Sequence, residues 1–321
     1  MPAPPPLGGF FTVNGHRLHA DFHPGPTGAP TVVFEAALGG SSLGWTAVER
    51  GLRGLASTVV YDRAGLGWSD AGPLPRDLPT QCGDLRALLA AAEVPPPYLL
   101  VGHSYGALIA HWLAARRELP VAGVVLVDPP ALEVWTNPTG ADRARLDNGI
   151  RLARRGVWAA RCGLAQLAAG LVAAGALTPA ANLARWVSGG RLRPTSDFNF
   201  APVTRLPQDD KAILRWIWTR PRFYQALASQ MQTLPDAARA VAAAPLPDTL
   251  PLVVLSAADT PPAQRAEHER LARQSRRGVH RAAHGSGHWI PLEEPELVLA
   301  AIREVLAAVP SAVHSPGPAL P

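Results

Sequence analysis

The chain has 321 residues, 47% of them hydrophobic, enough to bury a sizeable core and to exclude disorder for its body. Its formal net charge is +5, yet Lys211 is the only lysine among 30 basic residues, and the densest arginine runs, Arg151–Arg155 and Arg273–Arg277, are short and lie in helical patterns. The excess is therefore compositional rather than a basic patch, and no nucleic-acid partner is expected.

Met1–Phe10 has no basic region and no apolar core, so it does not read as a secretory leader, and a cytoplasmic location is expected. Phe10–Val13 and His16–Asp21 flank Asn14-Gly15, the pair favoured in two-residue hairpin turns. Thr31–Glu35 is an apolar strand suited to a sheet covered on both faces. It runs into Ala36-Ala37-Leu38-Gly39-Gly40, after which Ser42 is placed to cap a helix carrying Trp45, Val48 and Leu52. Thr58–Tyr61 is the next strand, followed by the glycine-rich turn Asp62–Asp70, where Asp62 and Arg63 can bond backbone and no chemistry is assigned. Thr80–Ala92 repeats Leu85, Leu88 and Leu89 on one helical face and ends at Pro95–Pro97.

Tyr98–Val101 is apolar, Gly102-His103-Ser104-Tyr105-Gly106 follows, and Leu108, Ile109, Trp112 and Leu113 then recur at helical spacing. A strand, a tight turn and a helix in that order lift the middle residue of the turn off the sheet end, and small residues two before and two after let the backbones pass. Ser104 is the lifted residue and a candidate nucleophile. The plainer reading is a helix cap on Ser104, which leaves both flanking glycines unexplained.

Val121–Val127 is a further strand ending at Asp128-Pro129-Pro130. From Ala131 to Leu246 the strand–helix alternation stops and the pattern is helical, with helices expected at Asp209–Thr219 and Arg222–Leu234. Trp135, Trp158, Trp186, Trp216 and Trp218 lie here and are expected to form mainly a small core of their own. Val157–Leu177 has the length of a membrane span but contains Arg161 and Gln166, so it reads as a buried or groove-lining helix and no stable membrane insertion is expected. Pro251–Ser256 resumes the sheet, Pro261–Ser275 is a helix, Val279–Ala282 a last strand, His284–His288 a loop and Pro295–Ala308 a closing helix. Cys82 and Cys162 have no metal-ligand spacing and are expected to be buried thiols, with a disulfide left open.

The alternation gives an α/β class with a mostly parallel, doubly wound sheet and a site at the carboxyl ends of its strands. Val32–Trp45, Val59–Asp70, Val101–Ala107 and Gly285–Val298, in that order, resemble the α/β-hydrolase superfamily. The resemblance covers a core of residues 1–130 and 247–309; the helical insertion at 131–246, on the side of Ser104, reads as a lid, and the Pro/Ser/Gly-rich tail at 310–321 as disordered. On this fold a serine, an acid and a histidine follow in chain order. His288, in a glycine-bracketed loop after the last strand, is the expected general base, while His284 and His103 are expected to be structural or to line the pocket. By resemblance Asp259 is the expected acid, Asp128 being the alternative position, and the oxyanion donors are the backbone N–H groups of Leu38 and Tyr105. The family usually has glycine where this chain has Ala37, and a positive φ there would cost about 1 kcal/mol.

The resemblance implies a serine hydrolase on a small-molecule substrate, with no cofactor and no metal. A carboxylesterase on small or medium apolar esters is the most generic member. A prolyl aminopeptidase, another acyl hydrolase or acyltransferase, or a catalytically poor small-ligand binder would use the same residues. Haloalkane dehalogenase and epoxide hydrolase chemistry calls for a carboxylate where Ser104 stands. The sequence does not address oligomeric state.

Overall fold

The computed structural model describes residues 4–174, 176, 183 and 206–309. The expected tail at 310–321 and Trp186 lie outside them.

Asn14 and Gly15 turn the chain at φ of 49° and 84°, so strands β1 (Gly9–Val13) and β2 (His16–His23) pair antiparallel as the Asn-Gly pair predicts. Strands β3 (Thr31–Glu35), β4 (Thr58–Tyr61), β5 (Tyr98–His103), β6 (Val121–Val127), β7 (Leu252–Ser256) and β8 (Gly278–Ala282) continue one sheet in the order β1-β2-β4-β3-β5-β6-β7-β8. β2 joins β4 antiparallel, and every pairing from β4 to β8 is parallel.

Side chains alternate across a strand, and here both faces are apolar. Val33, Leu100, Leu126 and Val254 meet helices α2 (Leu78–Ala91) and α3 (Tyr105–Arg116) through Leu85, Leu89, Leu108 and Leu113. Val32, Val101, Val125 and Leu255 point the other way, onto Val48 of α1 (Thr46–Arg50) and onto residues of the C-terminal helix such as Leu299 and Ile302. In the strand order β5, β6 and β7 are neighbours, and being parallel they bring their carboxyl ends side by side along one edge.

Between β6 and β7 the described residues form α4 (Leu132–Thr136), α5 (Gly140–Arg161), α6 (Leu164–Ala173), α7 (Gln208–Ile217) and α8 (Pro221–Ala242). The stretch expected as one apolar helix is divided: α5 and α6 meet at 84°, with Gly163 at φ 80° between them. No single described helix is long and apolar enough to cross a membrane. Trp216 is buried against Leu66, Trp68 and Phe223, so it packs partly on the core rather than only within the insertion, whereas Trp158 is 51% exposed. Cys82 is buried, but Cys162 is exposed, contrary to expectation, and both are free thiols.

After β7 come α9 (Pro262–Ala272), β8, the short α10 (Ile290–Glu293) and the closing helix α11, which spans Pro295–Ala308 as its periodicity predicts.

Candidate active site

Ser104 links β5 to α3 at φ 52°, ψ −119°, a conformation that costs a non-glycine residue about 1–3 kcal/mol. Its neighbours explain how the chain passes. A Cβ on Gly102 would lie 2.5 Å from the Gly106 carbonyl oxygen, and one on Gly106 would lie 2.3 Å from the Glu35 carbonyl oxygen. Ser104 stands at the helix N-cap, yet its hydroxyl makes no capping hydrogen bond. The cap reading therefore has no contact behind it.

His288 lies in the loop between β8 and α10. Its Nδ1–H donates to Asp128 Oδ2 at 2.6 Å, and its side chain is 45% exposed against 6% for the carboxylate. The carboxylate bonded to His288 is thus Asp128, at the end of β6, which was the alternative position, and not Asp259, the one expected. The physical reason is the loop after β7. It presents the Thr260 hydroxyl and the Ala257 N–H to Asp128 Oδ1, at 2.9 and 3.2 Å, and leaves Asp259 itself exposed. Asp128 sits at φ 42°, a second strained residue at the same edge. Burial pushes its carboxyl up, but the hydrogen bond and charge of His288, with the Ala257 and Thr260 donors, outweigh burial and hold it below the ordinary value.

The next residue is held from behind. Pro129 O accepts from Gln264 Nε2 at 2.9 Å and from His268 Nε2 at 2.8 Å. Donation from Nε2 makes His268 Nδ1 the acceptor for the Ser256 hydroxyl, at 2.7 Å.

His103 is buried, and its Nε2–H donates to the His288 carbonyl at 2.7 Å. Burial and the adjacent His288 push its pKa down to about 3, so it stays neutral and fixes the loop rather than exchanging protons. This is the structural, pocket-lining part expected of it. Among the described residues His284 offers only its backbone N–H, to Glu294, at 3.2 Å.

Around the turn that carries Leu38 the sequence reading missed a buried cluster. Glu35, fully buried, accepts from Arg63 Nη1 at 2.9 Å and is hydrogen-bonded to the Tyr61 hydroxyl. Burial raises the Glu35 carboxyl above its ordinary value despite Arg63 and Tyr61. Arg63 also donates to the Ala36 and Ala37 carbonyls, at 2.6 Å each, and its guanidinium lies 5.5 Å over the Tyr105 ring. One cation thus ties the turn carrying Leu38 to the residue after Ser104. The positive φ in that turn falls on Gly39, at 63°, and not on Ala37, so the expected alanine cost does not arise. The only sequence signal for the cluster is a Glu–Arg pair at the ends of two neighbouring strands. Asp62 accepts the Ser42 N–H at 2.8 Å, which replaces the expected Ser42 cap.

A cavity of about 460 Å³ lies between this edge and the insertion, lined by Leu38, Leu152, Leu214, Trp218, Phe223 and Trp289 among others. Its near wall includes His103 and Trp289, the chain neighbours of Ser104 and His288, and among its described lining residues only Arg155 is charged.

Residues 30–295 match the family model of the alpha/beta hydrolase fold. The uncharacterized protein YqjL of Bacillus subtilis is 39% identical over 119 residues, 37% of this chain and 47% of that protein. A putative carbamate hydrolase, RutD, of Klebsiella pneumoniae is 41% identical over 114 residues, 35% of this chain and 42% of that protein. The chain thus spans less than half the length of these curated relatives. Among solved structures, a thermophilic esterase from Thermogutta terrifontis superposes with a TM-score of 0.63 at 22% identity, over 92% of this chain and 96% of that one, a likeness of fold alone. A nucleophile-type turn, a paired histidine and carboxylate at the adjoining strand ends, and a family match over most of the sequence converge, and the chain belongs to the α/β-hydrolase family.

Proposed function

We propose that the protein is a serine hydrolase with Ser104 as nucleophile, His288 as general base and Asp128 as the acid, cleaving carboxylic esters with a small or medium apolar acyl group. The observation that carries the reading is the 2.6 Å bond from His288 Nδ1–H to Asp128, at the strand end beside a strained Ser104 whose hydroxyl is not used as a cap.

With Nδ1 protonated, His288 Nε2 is the free base that takes the Ser104 proton as Oγ attacks the ester carbonyl. Asp128 stabilises the imidazolium that results. Negative charge on the carbonyl oxygen is met by the Tyr105 and Leu38 N–H groups. Collapse expels the alcohol, protonated by His288, and leaves an acyl-Ser104. Water, deprotonated by His288, then attacks the acyl carbon, and the imidazolium returns the proton to Ser104 Oγ as the carboxylic acid is released. The apolar cavity favours an apolar acyl group over a charged one, and residues 131–246 act as its lid.

A fluorophosphonate probe and a series of p-nitrophenyl esters of graded chain length test this. Wild type is expected to label and to turn over, and Ser104→Ala to do neither while melting at an unchanged temperature. Turnover that survives Ser104→Ala would sink the assignment.

A further inference from the structure

Gln230 is fully buried on α8, in the helical insertion, and touches the oxyanion side of the site from 191 residues away. Its Oε1 accepts the Gly39 N–H at 3.3 Å, and its Nε2 donates to Gln81 Oε1 at 2.9 Å. Gln81 Nε2 in turn donates to the Tyr105 hydroxyl at 2.7 Å and to the Arg76 carbonyl at 2.9 Å.

The direction of this chain is forced. A carbonyl oxygen only accepts, so the Arg76 carbonyl requires the Gln81 amide nitrogen and turns Gln81 Oε1 toward Gln230. Gln230 must answer with its nitrogen, and its oxygen is left for Gly39. Flipping either amide would set two donors or two acceptors face to face in a buried site.

The rest of α8 is seated by the same stretch of the core. Arg76 N–H donates to the Ser229 hydroxyl at 2.8 Å, and Arg222 Nη2 donates to the Gly67 carbonyl at 3.2 Å. A Cβ on Gly39 would be 3.1 Å from Leu227. Gln230 is therefore the point where the seating of the insertion reaches both residues flanking the proposed oxyanion site: Gly39, next to Leu38, and Tyr105.

We infer that Gln230 is a positioning residue which latches the insertion to the two oxyanion donors, so that the Leu38 and Tyr105 N–H groups are aligned only while α8 is seated. This rests on the serine-hydrolase reading. It does not extend to substrate contact, since Gln230 is not among the residues lining the cavity.

The test is Gln230→Met, which keeps the side-chain length and removes both hydrogen bonds, assayed in the full chain. Expected are a fall in kcat of about 10- to 50-fold with KM within about threefold, and an equal fall in the fluorophosphonate labelling rate. That is smaller than the roughly 100- to 1,000-fold effect of deleting an oxyanion donor outright. Amide exchange measured by NMR at Leu38 and Gly39 is expected to rise at least about tenfold as the Gly39 N–H loses its acceptor. If Gln230→Met does not fold, Gln230→Glu carries the test: it keeps the acceptor for Gly39 and loses the donor to Gln81, and about a three- to tenfold fall in kcat at constant KM is expected.

Unchanged exchange at Gly39 in Gln230→Met overturns the latch whether or not the protein is an enzyme, and in Gln230→Glu, where the Gly39 acceptor is kept, an unchanged kcat overturns it. Raised exchange with unchanged kcat, or a KM effect alone, overturns its link to the oxyanion donors. A wild type inert to both ester and fluorophosphonate overturns the hydrolase reading instead, and the exchange measurement then still decides the latch.

Discussion

The strand ends of β6 and β7 carry one aspartate each, on neighbouring strands and at the same edge of the sheet, yet the two residues live in different physical worlds. Asp128 is buried, backbone-strained at φ 42°, bonded to His288 and supplied with two further donors. Asp259 is exposed, and among the described residues no hydrogen bond or ion pair joins it to His288. The loop after β7 gives its donors away to Asp128 instead of offering an acid of its own. A carboxylate is useful to an imidazole only where its ionised form is held in one orientation, and that depends on what surrounds it more than on which strand it follows.

The strongest way to break this comparison is to remove one charge at a time. Asp128→Asn is expected to lower kcat by about 10³- to 10⁴-fold, because the amide stabilises the wrong imidazole tautomer. Asp259→Asn should stay within about twofold. Steady-state kinetics on one p-nitrophenyl ester decides it, and equal losses in the two variants would erase the distinction.

A smaller effect sharpens the comparison by touching only the donors. Thr260→Val keeps the shape and leaves Asp128 Oδ1 with the Ala257 N–H alone. Stability is expected to fall by about 1–2 kcal/mol in urea denaturation, since a buried acceptor loses a partner, and kcat by about tenfold or less. No change in either would mean that the hydroxyl does not hold the acid.

Acid titration makes the smallest change and separates the carboxylate from the histidines around it. Asp128 is held below its ordinary value of 3.8, so the stability it confers is present above that value and is lost only as pH falls through its lower folded value. His103 and His111 are buried neutral, burial being the main cause, with pKa pushed down to about 3 and about 4 from 6.5. Their folded values lie below their unfolded ones, so stability is full above about 6.5 and drains as pH falls toward those values. The share of the melting temperature owed to these two histidines is therefore expected to begin falling near pH 6.5, well before Asp128 is protonated, while His19, where burial is outweighed by Asp62 and the pKa is raised, contributes in the opposite sense. A His111→Gln variant should show a shallower slope, and an identical slope would remove His111 from this account.

How far the sequence reaches is visible residue by residue. Strands β3, β4 and β6 and the closing helix have the limits their periodicity predicts, because the sheet's middle is apolar on both faces and local pattern is enough to place it. Ser104 and His288 were legible for the same reason: glycines within a few residues of each define the turn and the loop that present them. The hydrogen-bond partner of His288 was not. Choosing between Asp128 and Asp259 required knowing where Thr260 and Ala257 point, and that is settled by two loops meeting across the sheet edge.

The turn that carries Leu38 makes the same division. The sequence marks the turn at Ala36–Gly40 and even the residue whose backbone is in question, but only the packed structure puts the positive φ on Gly39 and the Arg63 cation under the Ala36 and Ala37 carbonyls. Gln230 had no local pattern to betray it, since it is one of three glutamines, with Gln225 and Gln232, in an amphipathic helix where such residues read as surface. What the sequence determined by itself is whatever depends on neighbours along the chain: the elements, the strained serine and the histidine loop. What tertiary structure decided is the set of buried polar pairings, Asp128 with His288, Glu35 with Arg63 and Gln230 with Gly39, because a desolvated polar group must find its partner in space, wherever that partner lies in the sequence.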